Sequence, residues 1–257
     1  MNNNDIWEIA LEQSAYDCGC RPEDFLSFEN KTVVSKMDKR ARVYLPRPLE
    51  CDLVSYGGNI VASVREDLTC MVSQYINGFP AAHCFETPNI YLLNDRLAPY
   101  GLKVCFMAEY FLPDVQSLKR LSCGYELKLL YPGDFEKLYI NEWSNALCRE
   151  RKERDVLALG AYDGGRLIGL AGASADCEKM YQIGIDVLPE YRRRGVASAL
   201  VSQLAREILA LGKAPFYCAA WANIKSVRCA LKCGFKPAWV EITARRLDFI
   251  SALTDKR

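Results

Sequence analysis

The 257-residue chain has no hydrophobic run that approaches the roughly 18 residues needed to cross a membrane as a helix. Residues 1–8 have neither the basic start nor the apolar stretch of a secretory signal. Half of the residues are hydrophobic and a quarter are charged, which is typical of a globular protein and argues against extensive disorder. The sequence therefore predicts a cytoplasmic protein that neither enters a membrane nor is exported.

The chain also has a single histidine and few closely spaced cysteines, although its twelve cysteines are many. The one tight pair is Cys18 and Cys20, and His83 with Cys84 would complete four ligands only through a coincidence of folding. Most of the others lie in apolar or mixed segments, where reduced thiols pack as small hydrophobic side chains. We expect free thiols and no metal site.

A strong net charge is absent too, because 33 basic and 32 acidic residues leave a formal charge of +1. Residues 1–120 carry 12 basic and 16 acidic side chains, and residues 121–257 carry 21 and 16. The basic excess of the second half suits an anionic ligand but is too small to indicate nucleic-acid binding. The sequence therefore predicts no nucleic acid as a partner.

No Gly- or Ser-rich linker divides the chain, so its parts are expected to pack together. We place a boundary within residues 111–124, between a smaller N-terminal α/β domain at 1–120 and a second domain at 121–257. The predicted elements of the first domain are a helix over 5–16, a hairpin over 53–64, a helix over 86–100 and a strand over 103–108. It has no catalytic motif. Three roles stay open for it: a degenerate copy of the second domain's fold, a cap over an acceptor cleft, or a dimerisation domain that would make the protein a homodimer.

The second domain has a clearer pattern of alternating strands and helices. Predicted strands lie at residues 125–130, 156–161, 166–173, 180–188, 216–220 and 238–245. Predicted helices lie at residues 134–140, 143–151, 196–211 and 224–233. This order predicts an α/β domain built around a mixed sheet.

Three consecutive arginines, Arg192, Arg193 and Arg194, separate a buried strand from a long amphipathic helix that follows Gly195. The first amides of a helix have no partner within it and lie at the positive end of its dipole. Small residues at Gly195 and Ala197 would let a diphosphate approach those amides closely. The pattern indicates an anion site, with a solvated basic turn as the alternative.

A second motif opens the next helix, where Asn223 is placed as the N-cap with Ser226 and Arg228 in the first turns. The helix ends at Gly234, which Phe235 follows. The order of these features resembles the GNAT superfamily of N-acetyltransferases. The order is a strand, Arg-x-x-Gly-x-Ala, a long helix, a strand, and an Asn-x-x-Ser helix that Gly-Phe follows. The resemblance covers about residues 125–247 and does not extend to residues 1–120.

The resemblance implies a V-shaped cleft between two splayed central strands, which receives the pantetheine arm of acetyl-CoA. Val187 would offer backbone hydrogen bonds to pantetheine and polarise the thioester carbonyl. The pyrophosphate would lie at the start of the long helix, and no metal would take part. The resemblance implies cofactor contacts at Val187, Arg192, Arg193, Arg194, Gly195, Val196, Ala197, Ser198, Asn223, Ser226 and Arg228.

The implied reaction is direct acetyl transfer to a primary amine, which must first lose a proton because an alkylammonium has a pKa of about 10.4. A carboxylate or a water chain commonly takes that proton. Asp186 is the one carboxylate in its strand and is the candidate base, although strand alternation could direct it away from the cleft. Glu142 lies in the region that borders the acceptor in the family.

Ala230 departs from the family pattern, because many members have at this position a tyrosine that protonates the leaving thiolate. Tyr217 or Tyr181 could substitute, the thiolate could leave unaided, or catalysis could be weakened. Our prediction is an acetyl-CoA-dependent N-acetyltransferase that acts on the primary amine of a small molecule. The alternative is a catalytically weak acyl-CoA-binding sensor or regulatory protein.

Overall fold

A computed structural model describes residues 1–254 and gives the chain an α/β architecture, which confirms the predicted class. In chain order the elements are α1 (Asn3–Cys18), β1 (Lys31–Val34), β2 (Cys51–Ser55), β3 (Val61–Val64), α2 (Thr69–Asn77), α3 (Thr87–Leu97), β4 (Leu102–Pro113), β5 (Glu126–Leu130), β6 (Asp155–Asp163), β7 (Arg166–Ser174), β8 (Met180–Val187), α4 (Val196–Ala210), β9 (Ala214–Ala220), α5 (Ile224–Cys233), β10 (Phe235–Arg246) and α6 (Leu247–Thr254). Short 3-10 turns occupy several of the connections.

The chain forms two compact units, and each is built from two segments. Unit 1 consists of Met1–Ile9 and Phe111–Pro237, and unit 2 of Ala10–Tyr110 and Ala238–Arg257. This division differs from the single boundary between residues 120 and 121 that the sequence predicts. The reason is that β10 pairs with β2 from Val240 onwards, which returns the end of the chain to unit 2.

The sheet of unit 1 has the strand order β5-β6-β7-β8-β9, in which the pair β8–β9 is parallel and the other pairs are antiparallel. The predicted β6–β7 hairpin is confirmed, and Gly164 and Gly165 supply the positive φ angles that its tight turn requires. Helix α4 has its predicted amphipathic pattern, and Leu200 and Leu204 are buried in one core with Ile183 of β8. Helix α4 therefore covers one face of this sheet.

The connection from β5 to β6 corrects the sequence prediction of two helices at residues 134–140 and 143–151. The structure has only short 3-10 turns between Pro132 and Arg154. Asp134 closes a turn by accepting the backbone N–H of Tyr131 (2.9 Å) instead of capping a helix. Long-range packing outweighs local helix preference here, because Trp143 is buried with Leu147 against Leu170 of β7.

In unit 2 the pairing order is β1-β3-β2-β10, with β4 next to β10. Strand β1 is parallel to β3, whereas β2 pairs antiparallel with both of its neighbours. The predicted β2–β3 hairpin around Gly57 and the predicted helices α1 and α3 are confirmed. A core of mostly aliphatic side chains lies between the sheet and helices α2 and α3.

The twelve cysteines, all within the described residues, form no disulfide bond. Among residues 1–254, no group of three or more His, Cys, Asp and Glu side chains is arranged to hold a metal ion. None of the helices in this part of the chain is both long and apolar enough to span a bilayer.

Candidate functional site

Strands β8 and β9 part from each other beyond their first three residue pairs. The parallel register joins Met180 to Ala214, and it ends where Gln182 pairs with Phe216. Both strands continue past this point, β8 to Val187 and β9 to Ala220. We call the space between residues 183–187 of β8 and 217–220 of β9 the fork. It is a splayed pair of central strands of the kind predicted from the sequence.

The backbone groups of alternate β8 residues are directed into the fork. The carbonyl of Lys179 accepts the N–H of Ala214 in β9 (2.9 Å), whereas the N–H of Leu188 is donated to Ile168, towards β7 (3.0 Å). Because N–H and C=O groups alternate sides along a strand, Ile185 and Val187 share the direction of Lys179. The N–H of Val187 therefore points to the side of β8 from which β9 has diverged.

The two faces of β8 have different surroundings at the fork. Ile183, Ile185 and Val187 pack on the face that α4 covers. Asp186 lies on the opposite face of β8, which α4 does not cover and which we call the open face. At the base of the fork on this face, the side-chain amide of Gln182 donates to Cys218 Sγ of β9 (3.1 Å).

The arginine loop leads from the end of β8 into α4. Arg192 Nε donates to the carbonyl of Val187 (2.9 Å), and Arg194 donates to the hydroxyl of Tyr125 (3.0 Å). Arg193 has a φ of 64°, and all three arginine side chains are exposed. The loop thus places the positive charge of Arg192 at the last residue of β8 and continues with two further exposed arginines.

The first turn of α4 presents backbone N–H groups next to these arginines. Gly195 is the N-cap, with a left-handed φ of 82°, and the first intrahelical bond runs from the N–H of Ala199 to its carbonyl (3.0 Å). The N–H groups of Val196, Ala197 and Ser198 therefore precede the helical ladder. The Ser198 hydroxyl is turned back onto the carbonyl of Gly195 (3.0 Å). Unpaired amides, the helix dipole and arginines together form a site that favours an anion.

Helix α5 begins where β9 ends. The side chain of Asn223 accepts the backbone N–H of Ser226 (3.3 Å), so the predicted N-cap is present. The Ser226 hydroxyl also makes a hydrogen bond with the Tyr217 hydroxyl (2.7 Å). Burial raises the pKa of Tyr217, which keeps this phenol protonated. Ala230 is fully buried one turn further along the helix.

The cap at Asn223 and the cofactor contact expected there can be separated by mutation. Asn223→Ala is expected to lower the free energy of unfolding by about 0.5–1 kcal/mol, because the Ser226 N–H loses the side-chain oxygen (3.3 Å) and keeps the backbone carbonyl of Asn223 (2.9 Å). Asn223→Ser keeps a capping oxygen and should lower the free energy of unfolding by only a few tenths of a kcal/mol. Urea unfolding measures how much the cap contributes to stability. Calorimetry of acetyl-CoA binding measures how much Asn223 contributes to cofactor affinity. Equal stability of the alanine and serine variants would contradict the capping role.

Asp186 is held by three hydrogen bonds and is not an isolated carboxylate. Its Oδ2 accepts the backbone N–H groups of Asn145 (2.8 Å) and Ala146 (3.0 Å), and its Oδ1 accepts the Asn145 side-chain amide (2.7 Å). These donors come from the connection between β5 and β6, which packs on the open face. Sequence reasoning missed Asn145 and Ala146, because nothing local in the sequence links them to β8.

Two glycines also belong to this contact and were not singled out from the sequence. A Cβ on Gly184 would lie 1.8 Å from the carbonyl oxygen of Asn145, and a Cβ on Gly172 would lie 1.9 Å from that of Ala146. A glycine inside a strand indicates a close backbone approach, and this was the available signal.

Residues 122–235, which include the fork, the arginine loop and both helix starts, match the model of the acetyltransferase (GNAT) family. This segment is a GNAT acetyltransferase domain. The resemblance inferred from the sequence motifs is thereby confirmed, and the match leaves out residues 1–121. No curated protein matches the chain significantly.

Several solved GNAT structures are similar to the chain. A GNAT-family protein from Novosphingobium aromaticivorans shares 19% identity over 56% of this chain and 66% of its own, with a TM-score of 0.43. A GCN5-related N-acetyltransferase-like protein from Streptococcus suis shares 21% over 62% and 69%, with a TM-score of 0.45. The aminoglycoside N-acetyltransferase AAC(6')-Iy in complex with CoA shares 21% over 46% and 92%, with a TM-score of 0.34. The chain thus spans about two thirds of the length of the first two structures.

Proposed function

We propose that the chain is an N-acetyltransferase that moves an acetyl group from acetyl-CoA to the primary amine of a small molecule. The observation that carries this proposal is the parting of β8 and β9 after Gln182 and Phe216, beside an arginine-rich helix start. The fork would receive the pantetheine arm, and the amides of residues 196–198 with Arg192, Arg193 and Arg194 would bind the diphosphate. Asn223, Ser226 and Arg228 would border the arm from α5.

In this proposal the end of β8 supports the thioester during transfer. The N–H of Val187 would donate to the thioester oxygen, and the bond from Arg192 to the Val187 carbonyl keeps the strand end in place. A donor directed at the developing oxyanion contributes about 2.7–4 kcal/mol to such reactions. The amine nitrogen forms the new C–N bond, the C–S bond breaks, and the CoA thiolate leaves. The proton of the amine passes to solvent water.

The side chain at position 230 cannot protonate the leaving thiolate, because alanine has no donor group. Ala230 is also buried. Tyr217, whose hydroxyl is hydrogen-bonded to the Ser226 hydroxyl of α5 (2.7 Å), is the candidate proton donor in its place. A low-pKa thiolate can also leave without a proton. The same observation favours the second candidate function, an acyl-CoA-binding sensor with weak catalysis. Acetyl transfer measured with spermidine, tyramine and kanamycin as acceptors distinguishes the two functions.

The direct test of the cofactor site is Gly195→Glu, which places bulk and negative charge in the proposed diphosphate site. Calorimetry is expected to show acetyl-CoA binding to the wild type and binding at least about thirtyfold weaker, or absent, for the variant. Both Gly195 and Gly212 have left-handed φ angles, 82° and 72°, at opposite ends of α4. Gly212→Glu is therefore the matched control for charge and backbone strain, and it should bind like the wild type.

The outcomes separate the possibilities clearly. A folded wild type that fails to bind acetyl-CoA would overturn the proposed function. Equal loss of binding in the Gly195 and Gly212 variants would show that strain and not the diphosphate site is responsible. Binding without transfer to any of the three amines would support the sensor.

A further inference from the structure

The carboxylate of Asp186 has the geometry of an anchor. Both of its oxygens accept hydrogen bonds, and all three donors belong to Asn145 and Ala146, 41 and 40 residues away in the chain. Two of the donors are backbone N–H groups, so this contact fixes the main chain as well as a side chain. A general base needs an oxygen directed at the proton that it removes. Here the oxygens are directed at the connection between β5 and β6.

The contact between Asp186 and its donors requires the glycines beneath it. Gly172 and Gly184 form neighbouring positions of β7 and β8, and the carbonyls of Asn145 and Ala146 lie within 2 Å of where their Cβ atoms would be. The connection therefore rests directly on the backbone of the sheet. Asn145 and Ala146 are therefore held both by this backbone contact with the sheet and by the hydrogen bonds to Asp186.

A second carboxylate, that of the buried Asp155, holds the same connection at residues 139 and 148. Asp155 of β6 accepts the N–H of Cys148 (2.9 Å) and the hydroxyl of Tyr139 (3.1 Å). Arg149 in turn donates to the carbonyl of Tyr139. We call residues 139–148 the wall segment, because it stands on the open face of the sheet between these two anchors.

The wall segment is next to the fork, since Asp186 immediately precedes Val187. We propose that Asp186 is a positioning residue, which holds residues 145 and 146 on the sheet so that the wall segment shapes the acceptor side of the fork. The acceptor part of this inference rests on the proposed function, whereas the anchoring does not. Asp186 would act on the amine through the wall segment and would not take its proton.

Two substitutions distinguish positioning from base catalysis. Asp186→Asn keeps an oxygen for the two backbone N–H groups, and the Asn145 amide can rotate to accept from the new NH₂ group. Asp186→Ala removes all three bonds. Amide exchange at Asn145 and Ala146, followed by NMR without any ligand, is expected to be at least about tenfold faster in the alanine variant and within about threefold of the wild type in the asparagine variant.

Kinetics with whichever of spermidine, tyramine and kanamycin the wild type acetylates provides the second measurement. We expect Asp186→Ala to raise the KM of the amine about tenfold with little change in kcat, and Asp186→Asn to keep kcat and the pH profile within about threefold. Acetyl-CoA affinity should be unchanged in both variants. A base would instead lose about 10²- to 10⁴-fold in kcat in both, with an altered pH profile.

Each outcome bears on one inference. Unchanged amide exchange in Asp186→Ala, or a collapse of kcat in Asp186→Asn, would overturn the positioning role. Absence of acetyl-CoA binding by the wild type would overturn the proposed function and leave the exchange result to decide the anchoring.

Discussion

Replacing Gly184 with alanine is expected to lower the free energy of unfolding of unit 1 by about 3 kcal/mol, the upper end of what overpacking costs. The new methyl group would lie 1.8 Å from the Asn145 carbonyl oxygen and 2.8 Å from its carbonyl carbon. The obstacle is backbone, which cannot rotate away as a side chain can. The wall segment would have to lift, and lifting it also lengthens the hydrogen bonds to Asp186.

Two other glycines of unit 1 provide graded controls for this prediction. Gly160→Ala would place its methyl group 2.9 Å from side-chain atoms of Leu167 and Tyr162, which can shift, so about 1 kcal/mol is expected. Gly133→Ala meets nothing within 4 Å and should change stability by less than about 0.5 kcal/mol. Hydrogen exchange by mass spectrometry reads the stability of unit 1 peptides separately. A Gly184 variant as stable as the Gly133 variant would contradict the seating of the wall segment.

The parts of the site that the sequence predicted are those with a local cause. A helix start can be read from Gly195 or Asn223, because a left-handed glycine and a capping side chain act on the next few residues. The hairpin turn at Gly164 is local in the same sense. Hydrophobic spacing located β8 and α4 for the same reason, and the order of these elements was enough to indicate the family.

The parts that the sequence did not predict depend on residues far apart in the chain. The wall segment has no helix because Trp143 and Leu147 are buried against distant strands, and its position depends on Asp155 and Asp186. The division into two units depends on β10 pairing with β2, which is about 190 residues earlier in the chain. Periodicity in a short window carries no information on such pairings.

Unit 2 contains a buried group of charges that sequence reasoning did not identify. Arg42 is 4% exposed, and its Nε lies 2.5 Å from Asp17 Oδ2. Its Nη2 lies 3.6 Å from a carboxylate oxygen of Glu241 in β10. Arg42 thus connects α1 to the last strand through two buried acidic side chains.

A second buried pair lies in the same unit. Arg245 of β10 donates to Asp52 Oδ1 of β2 (2.9 Å). Burial raises the pKa of Asp52 to about 7, against its ordinary value of 3.8. Because the folded-state pKa is the higher one, the protonated form of Asp52 favours folding at low pH, and this contribution is lost as the pH rises from about 4 through about 7.

Arg42→Met is expected to lower the free energy of unfolding of unit 2 by about 3–5 kcal/mol at neutral pH. The substitution keeps a long apolar side chain but leaves the Asp17 and Glu241 carboxylates buried without their cation. Arg40→Met is the matched control, since Arg40 is exposed, pairs with Asp38 at 2.8 Å and lies over the Tyr16 ring. It should change stability by less than about 1 kcal/mol. Hydrogen exchange of peptides from residues 10–110 gives the comparison.

The double variant Arg42→Met with Asp17→Asn tests whether uncompensated charge, and not lost packing, causes that destabilisation. An asparagine at position 17 removes one buried charge and still offers an oxygen to Gln13 Nε2 and to the backbone N–H of Arg42, which Asp17 Oδ1 accepts at 3.0 and 2.8 Å. We expect the double variant to recover about half of the stability that Arg42→Met loses, since the Glu241 carboxylate still lacks its arginine partner. If the double variant were less stable than Arg42→Met, the arginine would act through its packing against Tyr44 and Tyr110, over whose rings its guanidinium lies at 5.3 and 5.4 Å.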